Sequence, residues 1–400
     1  MSELDENENQ PSGTIRHKVV ALYKFVVLPE EELKLLQAEV EQNMRLSKAR
    51  GTILLAAEGL NGTICYPESD NGDQVLDFLN NHVNFQGLRT RISYVDTAIF
   101  HRLKVKIKKE IVTIGGKVDA TDDAKKPIGY MSSCTIDPTK IVGSYVQPGK
   151  EWDDLLEDPD IVVIDTRNKY EIDIGTFENA ISPNTDNFRQ FPDWLHRFAE
   201  ECGTMKVHDQ ESSSKQVQCV ENPFQADEEK GTIHNARCLV PVPDEDMPKV
   251  NRKPKGVAMF CTGGIRCEKS TSYTIAAKVF PPDVPVYHLD GGVLAYLDAH
   301  PDEENSKWKG ECYVFDQRVA VTHGLKPSLN YTCCHACRRP ISAADKKRSD
   351  YIEGVSCRFC KDHGSNKQKT RFEERQKQIG LAKEKGAFHI HDSKYLEKKL

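Results

Sequence analysis

The run Cys261-Thr262-Gly263-Gly264-Ile265-Arg266-Cys267 holds the residues best suited to covalent chemistry. A thiol becomes a strong nucleophile as the thiolate, which is favoured by converging backbone N–H groups, the positive end of a helix and a nearby cation. All three are on offer here. Phe260 and Cys261 end a strand-like run, and the amphipathic stretch from Glu268 to Val279 reads as a helix beginning just past the loop. Gly263 and Gly264 let the backbone curl and turn its N–H groups inward, while Arg266 brings a fixed charge or a salt bridge that rigidifies the loop. Such a cradle suits an anionic persulfide as well as direct attack by a thiolate. Cys267 has two readings: a resolving thiol that closes a disulfide with a modified Cys261, or a small apolar residue packed in the first helical turn. An inert cysteine in a glycine turn is the plainer alternative; the coincidence of strand, double glycine, arginine and helix speaks against it.

A second group of cysteines has a different pattern. Cys334-His335-Ala336-Cys337 and Cys357-Arg358-Phe359-Cys360 are two C-x-x-C pairs at a separation usual for zinc ribbons. Each pair offers two thiolates to one edge of a tetrahedron, so structural Zn2+ is expected, and four protein ligands leave no open position for catalysis. Redox-active cysteines and disulfides are the alternatives. Cys333 and His363 are candidate substitute ligands.

Other residues are weaker candidates. Arg102, Lys104, Lys106 and Lys108 alternate with Leu103, Val105 and Ile107; in a strand the apolar set would face the core and the basic set would form a ribbon. That ribbon is either a lysine-protected edge or a surface that tracks phosphates. Asp165 and Arg167 follow a strand end, where a buried ion pair that fixes a loop is favoured over substrate contact. Glu58 and Asn61 sit in a turn, Glu58 to Gly62, that is most simply a tight hairpin; only the family resemblance named below makes them candidates for a substrate or RNA surface. His208 and His234 have no partner at ligand spacing.

The elements that must position these residues follow from periodicity. A strand at Lys18 to Leu28, a helix bearing Leu33, Leu36, Val40 and Met44, strands at 52–57 and 62–66, a helix near 75–83 and a strand at 89–95 give the β-α-β-β-α-β order of a ferredoxin-like α+β domain. Buried runs at Ile161 to Asp165, Gly256 to Phe260 and Val284 to Leu289 alternate with helices, the pattern of a doubly wound parallel sheet. The expected order is an acidic disordered leader (1–16), the ferredoxin-like domain (17–116), a linker (117–148) and the α/β domain (149–310) with a disordered insertion (203–255). A small zinc-binding region (311–364) and a basic tail (365–400) complete it. From Val321 to Leu400 basic residues outnumber acidic ones roughly twofold, reversing the net charge of −6 for the 400 residues. Nucleic acid would therefore meet local patches only. The polar leader and the lack of a long apolar run point to a cytoplasmic protein without a membrane contact. No nucleotide-binding glycine fingerprint, iron triad or flavin motif is evident.

The residues from Ile161 to Leu297 resemble the rhodanese superfamily, through Asp165-Thr166-Arg167, the turn from Gly175 to Ala180, the Cys261 loop and Leu289-Asp290-Gly291-Gly292. Thr176 stands where rhodaneses commonly carry a histidine. Cysteine phosphatases, the nearest competitor, place arginine six positions after the cysteine; here that position is Cys267. The resemblance extends to the tRNA uridine hydroxylase family through Ala57-Glu58-Gly59-Leu60-Asn61-Gly62, the basic strand with Ile111-Val112, and the stretch from Cys261 to Ser270. It implies an acylphosphatase-like N-terminal domain, a rhodanese domain and a cysteine-rich tail. The implied activity is oxygen-dependent hydroxylation of the wobble uridine of tRNA to 5-hydroxyuridine, with Cys261 essential, molecular oxygen as co-substrate and tRNA as partner. The alternative is a sulfurtransferase that carries a persulfide on Cys261, fed by thiosulfate or a protein sulfur donor. A scaffold that only binds RNA or protein is a third reading.

Overall fold

The computed structural model describes residues 16–68, 73–114, 136–203, 253–362 and 365–386. Most of the expected leader, insertion and linker, the end of the tail, and with them His208, His234 and His363, lie outside the described residues.

The N-terminal sheet is built from β1 (His17–Phe25), β2 (Arg50–Ala56), β3 (Gly59–Pro67), β4 (Arg89–Val95) and β5 (Leu103–Ile107), with α1 (Leu33–Leu46) and α2 (Gln74–Asn81) between strands. Its order is β4-β1-β3-β2-β5. The first four strands have ferredoxin-like topology, and β5 adds to the edge parallel to β2. The apolar face of α1 is buried as its spacing predicts: Leu33, Leu36, Val40 and Met44 pack on Ile53, Leu55, Leu60 and Val105. Two local expectations are corrected. The turn between β2 and β3 is only Ala57-Glu58, because Gly59 already pairs with Ala56, so Asn61 lies inside a strand. In β5, Val105 is buried but Ile107 is 37% exposed, since α1 covers only part of this edge.

The second sheet is parallel, in the order β6-β10-β9-β7, from β6 (Ser144–Val146), β7 (Ile161–Asp165), β9 (Gly256–Phe260) and β10 (Val286–Leu289). β6 falls within the segment expected as linker, and its pairing with β10 puts residues 144–146 in the sheet. Helices α3 (Lys150–Glu157), α4 (Lys169–Ile172), α5 (Phe191–Glu201), α6 (Ile265–Ala276) and α7 (Gly292–Ala299) connect the strands, and β8 (Gly175–Phe177) pairs with β11 (Trp308–Gly310). Two apolar clusters, one around Phe191, Trp194, Phe198 and Met259, the other around Trp152, Phe177, Phe260 and Trp308, sandwich the sheet. Strands buried on both faces read as unbroken apolar runs for this reason.

Short hairpins follow: β12 (Cys312–Tyr313) with β13 (Ala320–Val321), and β14 (Tyr331–Cys333) with β15 (Pro340–Ser342). Beyond α8 (Ala343–Lys346), α9 (Asn366–Glu384) buries no residue, in keeping with a helix polar all round. Among the described residues no helix is long and apolar enough to cross a membrane.

Candidate active site

Cys261 directly follows the end of β9, and α6 starts at Ile265, three residues earlier than its apolar pattern suggests, so the loop between them is very short. Gly264 adopts φ 93° and its N–H donates to the Cys261 Sγ at 3.1 Å. Only Gly264 is required in the double glycine. A Cβ there would lie 2.7 Å from the Tyr23 hydroxyl, whereas one on Gly263 would meet open space. Gly292, at the start of α7, presses on the loop from behind; its Cβ would sit 2.4 Å from the Cys261 carbonyl oxygen.

Burial alone would raise the Cys261 thiol. Against it act a hydrogen bond from the Cys267 thiol, the charge of Arg266 and the N–H groups of Cys267 and Gly264, which together bring it down to about 6. Cys267, fully buried, is pushed well up by burial and by its anionic neighbour, so it remains a thiol that donates to Cys261. At neutral pH the pair is therefore one thiolate and one thiol. Arg266 is turned away from open solvent into a two-point ion pair with Glu171, at 2.7 Å for each bond, and also donates to Thr262 Oγ1 at 3.2 Å. Burial raises the Glu171 carboxyl, yet the Arg266 and Arg167 charges outweigh it and hold the group below its ordinary value. Arg266 thus acts on the sulfur through its field and by bracing the loop.

Asp165 and Arg167 form a second, fully buried two-point pair, at 2.9 and 2.6 Å, to which Thr176 Oγ1 adds a bond to Asp165 at 2.9 Å. Arg167 also donates to the Gly175 carbonyl at 2.6 Å, tying the strand end to β8.

A cleft of about 640 Å³ opens above the loop. One wall is the second sheet with Cys261, Thr262, Gly263 and Gly291; the other is the bare face of the N-terminal sheet, opposite its helices. Strand register lays two cross-strand rows on that face: Arg89, Tyr23, Asn61, Leu54, Lys106, and Arg91, Ala21, Thr63, Thr52, Lys104. Each row runs from an arginine at one edge to a lysine at the other, and all but the two lysines line the cleft. The arginines are neutralised locally: Arg89 pairs with Glu268 at 3.1 Å and with Asp290, Arg91 with Asp298 at 2.8 Å, and Arg318 with Asp316 at 2.6 Å. Lys104 and Lys106 are exposed, and among the described residues neither ammonium group has a partner. Arg102 and Lys108 are likewise exposed at the ends of β5. Phe100, Phe188 and the 61% exposed Phe315 add apolar and aromatic lining.

The two walls are bolted together through α6. The buried Lys269 ammonium reaches Glu58 at 2.9 Å, Glu110 at 2.6 Å and the Val112 carbonyl at 2.7 Å. Glu58 also accepts from the Ile111 N–H at 2.7 Å, and Asn61 donates to the Ile111 carbonyl at 3.0 Å. Glu58 is thus an anchor between the domains, and Asn61 lines the cleft while holding the same segment. The sequence reading missed Glu171, Lys269, Glu268 and Tyr23. Only Glu171 had a local signal, as the third residue after the helix-capping Asn168; the others acquire partners more than a hundred positions away.

In the C-terminal region, the sulfurs of Cys334, Cys337, Cys357 and Cys360 lie within 4.8 Å of one another. Separations are 3.9 Å for Cys334–Cys360, 3.7 Å for Cys337–Cys357 and 3.8 Å for Cys357–Cys360. A tetrahedron with metal–sulfur bonds of about 2.3 Å has sulfur edges of about 3.8 Å, whereas a disulfide needs about 2.05 Å. The four thiols could hold a metal such as zinc. Cys333 points elsewhere, its thiol on the Arg338 carbonyl at 3.4 Å.

Residues 17–111 match the family described as UPF0176 acylphosphatase like domain, so the acylphosphatase-like character implied for the N-terminal domain is found. Among solved structures the chain is similar to a bacterial light-regulated adenylyl cyclase (12% identical, 23% of this chain and 28% of that chain covered, TM-score 0.20). It is also similar to BlrB, a BLUF protein in its dark state (15%, 28% and 91%, TM-score 0.20), and to full-length HypF in a phosphate- and nucleotide-bound form (12%, 28% and 16%, TM-score 0.18). This chain spans 28% of the first of these proteins, and likenesses this slight bear on neither fold nor function.

Proposed function

We propose that this protein is a tRNA-modifying enzyme of the uridine hydroxylase kind, with Cys261 on a rhodanese-type loop as its essential nucleophile. The observation that carries the reading is the joint construction of one cleft: a sheet that matches the UPF0176 acylphosphatase-like domain forms one wall, and a buried thiolate forms the floor of the other. The lining favours a nucleobase over a bare anion. Its arginines are already paired with carboxylates, while hydroxyls, an amide and aromatic rings remain for a planar, hydrogen-bonding ring. The unpaired Lys104 and Lys106, with Arg102 and Lys108 beside them, would take backbone phosphates at the cleft's outer edge. Molecular oxygen enters as co-substrate by the family resemblance. Cys334, Cys337, Cys357 and Cys360 would hold structural zinc, which ties the two C-x-x-C turns into one module.

The reading is tested by mass spectrometry of tRNA nucleosides from cells lacking the gene, complemented by wild type or by Cys261→Ser. Loss of 5-hydroxyuridine-derived nucleosides, restored only by wild type, is expected; an unchanged profile would remove the proposal. A sulfurtransferase reading draws on one observation, the 3.1 Å N–H contact to Cys261, which would stabilise a persulfide anion equally well. Thiocyanate formation from thiosulfate and cyanide, lost in Cys261→Ser, would favour it.

A further inference from the structure

The N-terminal sheet does more than wall the cleft: it places one side chain against the thiol loop itself. Tyr23, near the C-terminal end of β1, sends its buried hydroxyl 2.8 Å from Glu268 Oε1. The same hydroxyl lies over Gly264, so near that no Cβ fits between them. Gly264 is the residue whose N–H bonds Cys261, and its carbonyl accepts from the Glu268 N–H at 3.1 Å. Tyr23 and Glu268 therefore both contact Gly264, the residue whose N–H faces the sulfur. Gly291 approaches the same position, its N and Cα each 3.5 Å from where that Cβ would sit, so elements of both sheets converge on Gly264. Arg89 of β4 holds Glu268 at 3.1 Å and also pairs with Asp290, next to Gly291.

We propose that Tyr23 is a positioning residue of the thiol site, which confines Gly264 to the backbone conformation that aims its N–H at Cys261 and thereby makes the reactivity of Cys261 depend on the N-terminal sheet. The inference rests on the reading of Cys261 as the reactive thiolate. Groups facing the Tyr23–Glu268 pair are Arg89 from β4, Tyr145 from β6 and Asp290 after β10, with Arg266 and Cys267 from α6 around the sulfur. Glu268 is raised chiefly by burial, and Tyr23, Arg89 and Tyr145 oppose that rise, so the pair is held within a network that spans both domains.

The test follows alkylation of Cys261 by iodoacetamide against pH in the full-length chain, read at the Cys261 peptide by mass spectrometry. It needs no RNA. Wild type should show a midpoint near 6. Tyr23→Phe, with an unchanged thermal melt, should move the midpoint up by about one unit, seen as roughly fivefold slower alkylation at pH 6. Should Tyr23→Phe fail to fold, Glu268→Ala discriminates by sign: loosening of Gly264 raises the midpoint, whereas mere loss of a nearby carboxylate lowers it. An unchanged or lowered midpoint in a folded variant overturns the inference while the thiolate reading stands. A wild type that alkylates only near the ordinary value of 9 removes both.

Discussion

The two cysteine regions solve opposite problems with the same side chain. At Cys261 a single sulfur is stripped of water and its charge is met by N–H groups, a thiol and an arginine that is itself held by Glu171. In the C-terminal region four sulfurs lie within 4.8 Å of one another, three of the pairs at 3.7 to 3.9 Å, an arrangement that would gather negative charge if the thiols ionised. The first is complete in itself and leaves the thiolate directed at a cleft. The second could hold a metal, which would take up all four thiols. Reactivity thus depends less on the cysteine than on whether its charge is met by fixed dipoles or shared with an ion.

The largest effect that would sharpen this contrast is metal removal. Chelation or Cys357→Ser should abolish bound zinc and hydrogen-exchange protection across 331–362, since structural zinc contributes on the order of 10 kcal/mol to such modules. Cys261 should alkylate as before; a parallel loss at Cys261 would break the comparison. Next in size is Glu171→Ala, which leaves the buried Arg266 without its counter-ion. It should cost about 3–5 kcal/mol in urea unfolding, and an unaltered midpoint would mean that the pair does not brace the loop.

A smaller effect separates the roles of the two loop cysteines. Cys267→Ala removes the thiol that donates to Cys261, so the alkylation midpoint should rise from about 6 by about one unit, near 1.4 kcal/mol. The sign for stability follows from the same shift. An acid whose folded value lies below its unfolded one stabilises the fold fully above the unfolded value, so this contribution fades as pH falls from about 9 through about 6. The smallest effect concerns the cleft edge: Lys104→Gln with Lys106→Gln should leave alkylation untouched and lower the salt-dependence slope of tRNA binding by roughly 0.7–0.9 per lost contact. Filter binding across a salt series measures it, and an unchanged slope would remove β5 from the RNA surface.

Local patterns made much of this legible. The face of α1 showed in the spacing of Leu33, Leu36, Val40 and Met44, and β4, β7 and β9 run where alternation and apolar runs put them. The four-cysteine cluster was readable because each C-x-x-C turn already sets two ligands side by side, so only one loop closure was left undetermined. Strand ends were less readable: the turn at Ala57-Glu58 is tighter than its glycines suggest, and Ile107 looks like a core residue until one sees how little of β5 is covered by α1.

What the sequence by itself determined is the thiol loop as a chemical unit: strand, cysteine, glycine and helix are contiguous, and their dipoles converge on the sulfur whatever surrounds them. Only the tertiary structure decided what surrounds them. It turned Arg266 towards Glu171, set Cys267 beneath the sulfur as a donor, and brought Tyr23 to Glu268 and Glu58 to Lys269 from more than two hundred positions away. No periodicity encodes such pairs, because each partner is polar and looks solvent-facing within its own element; burial between two domains is what makes them necessary.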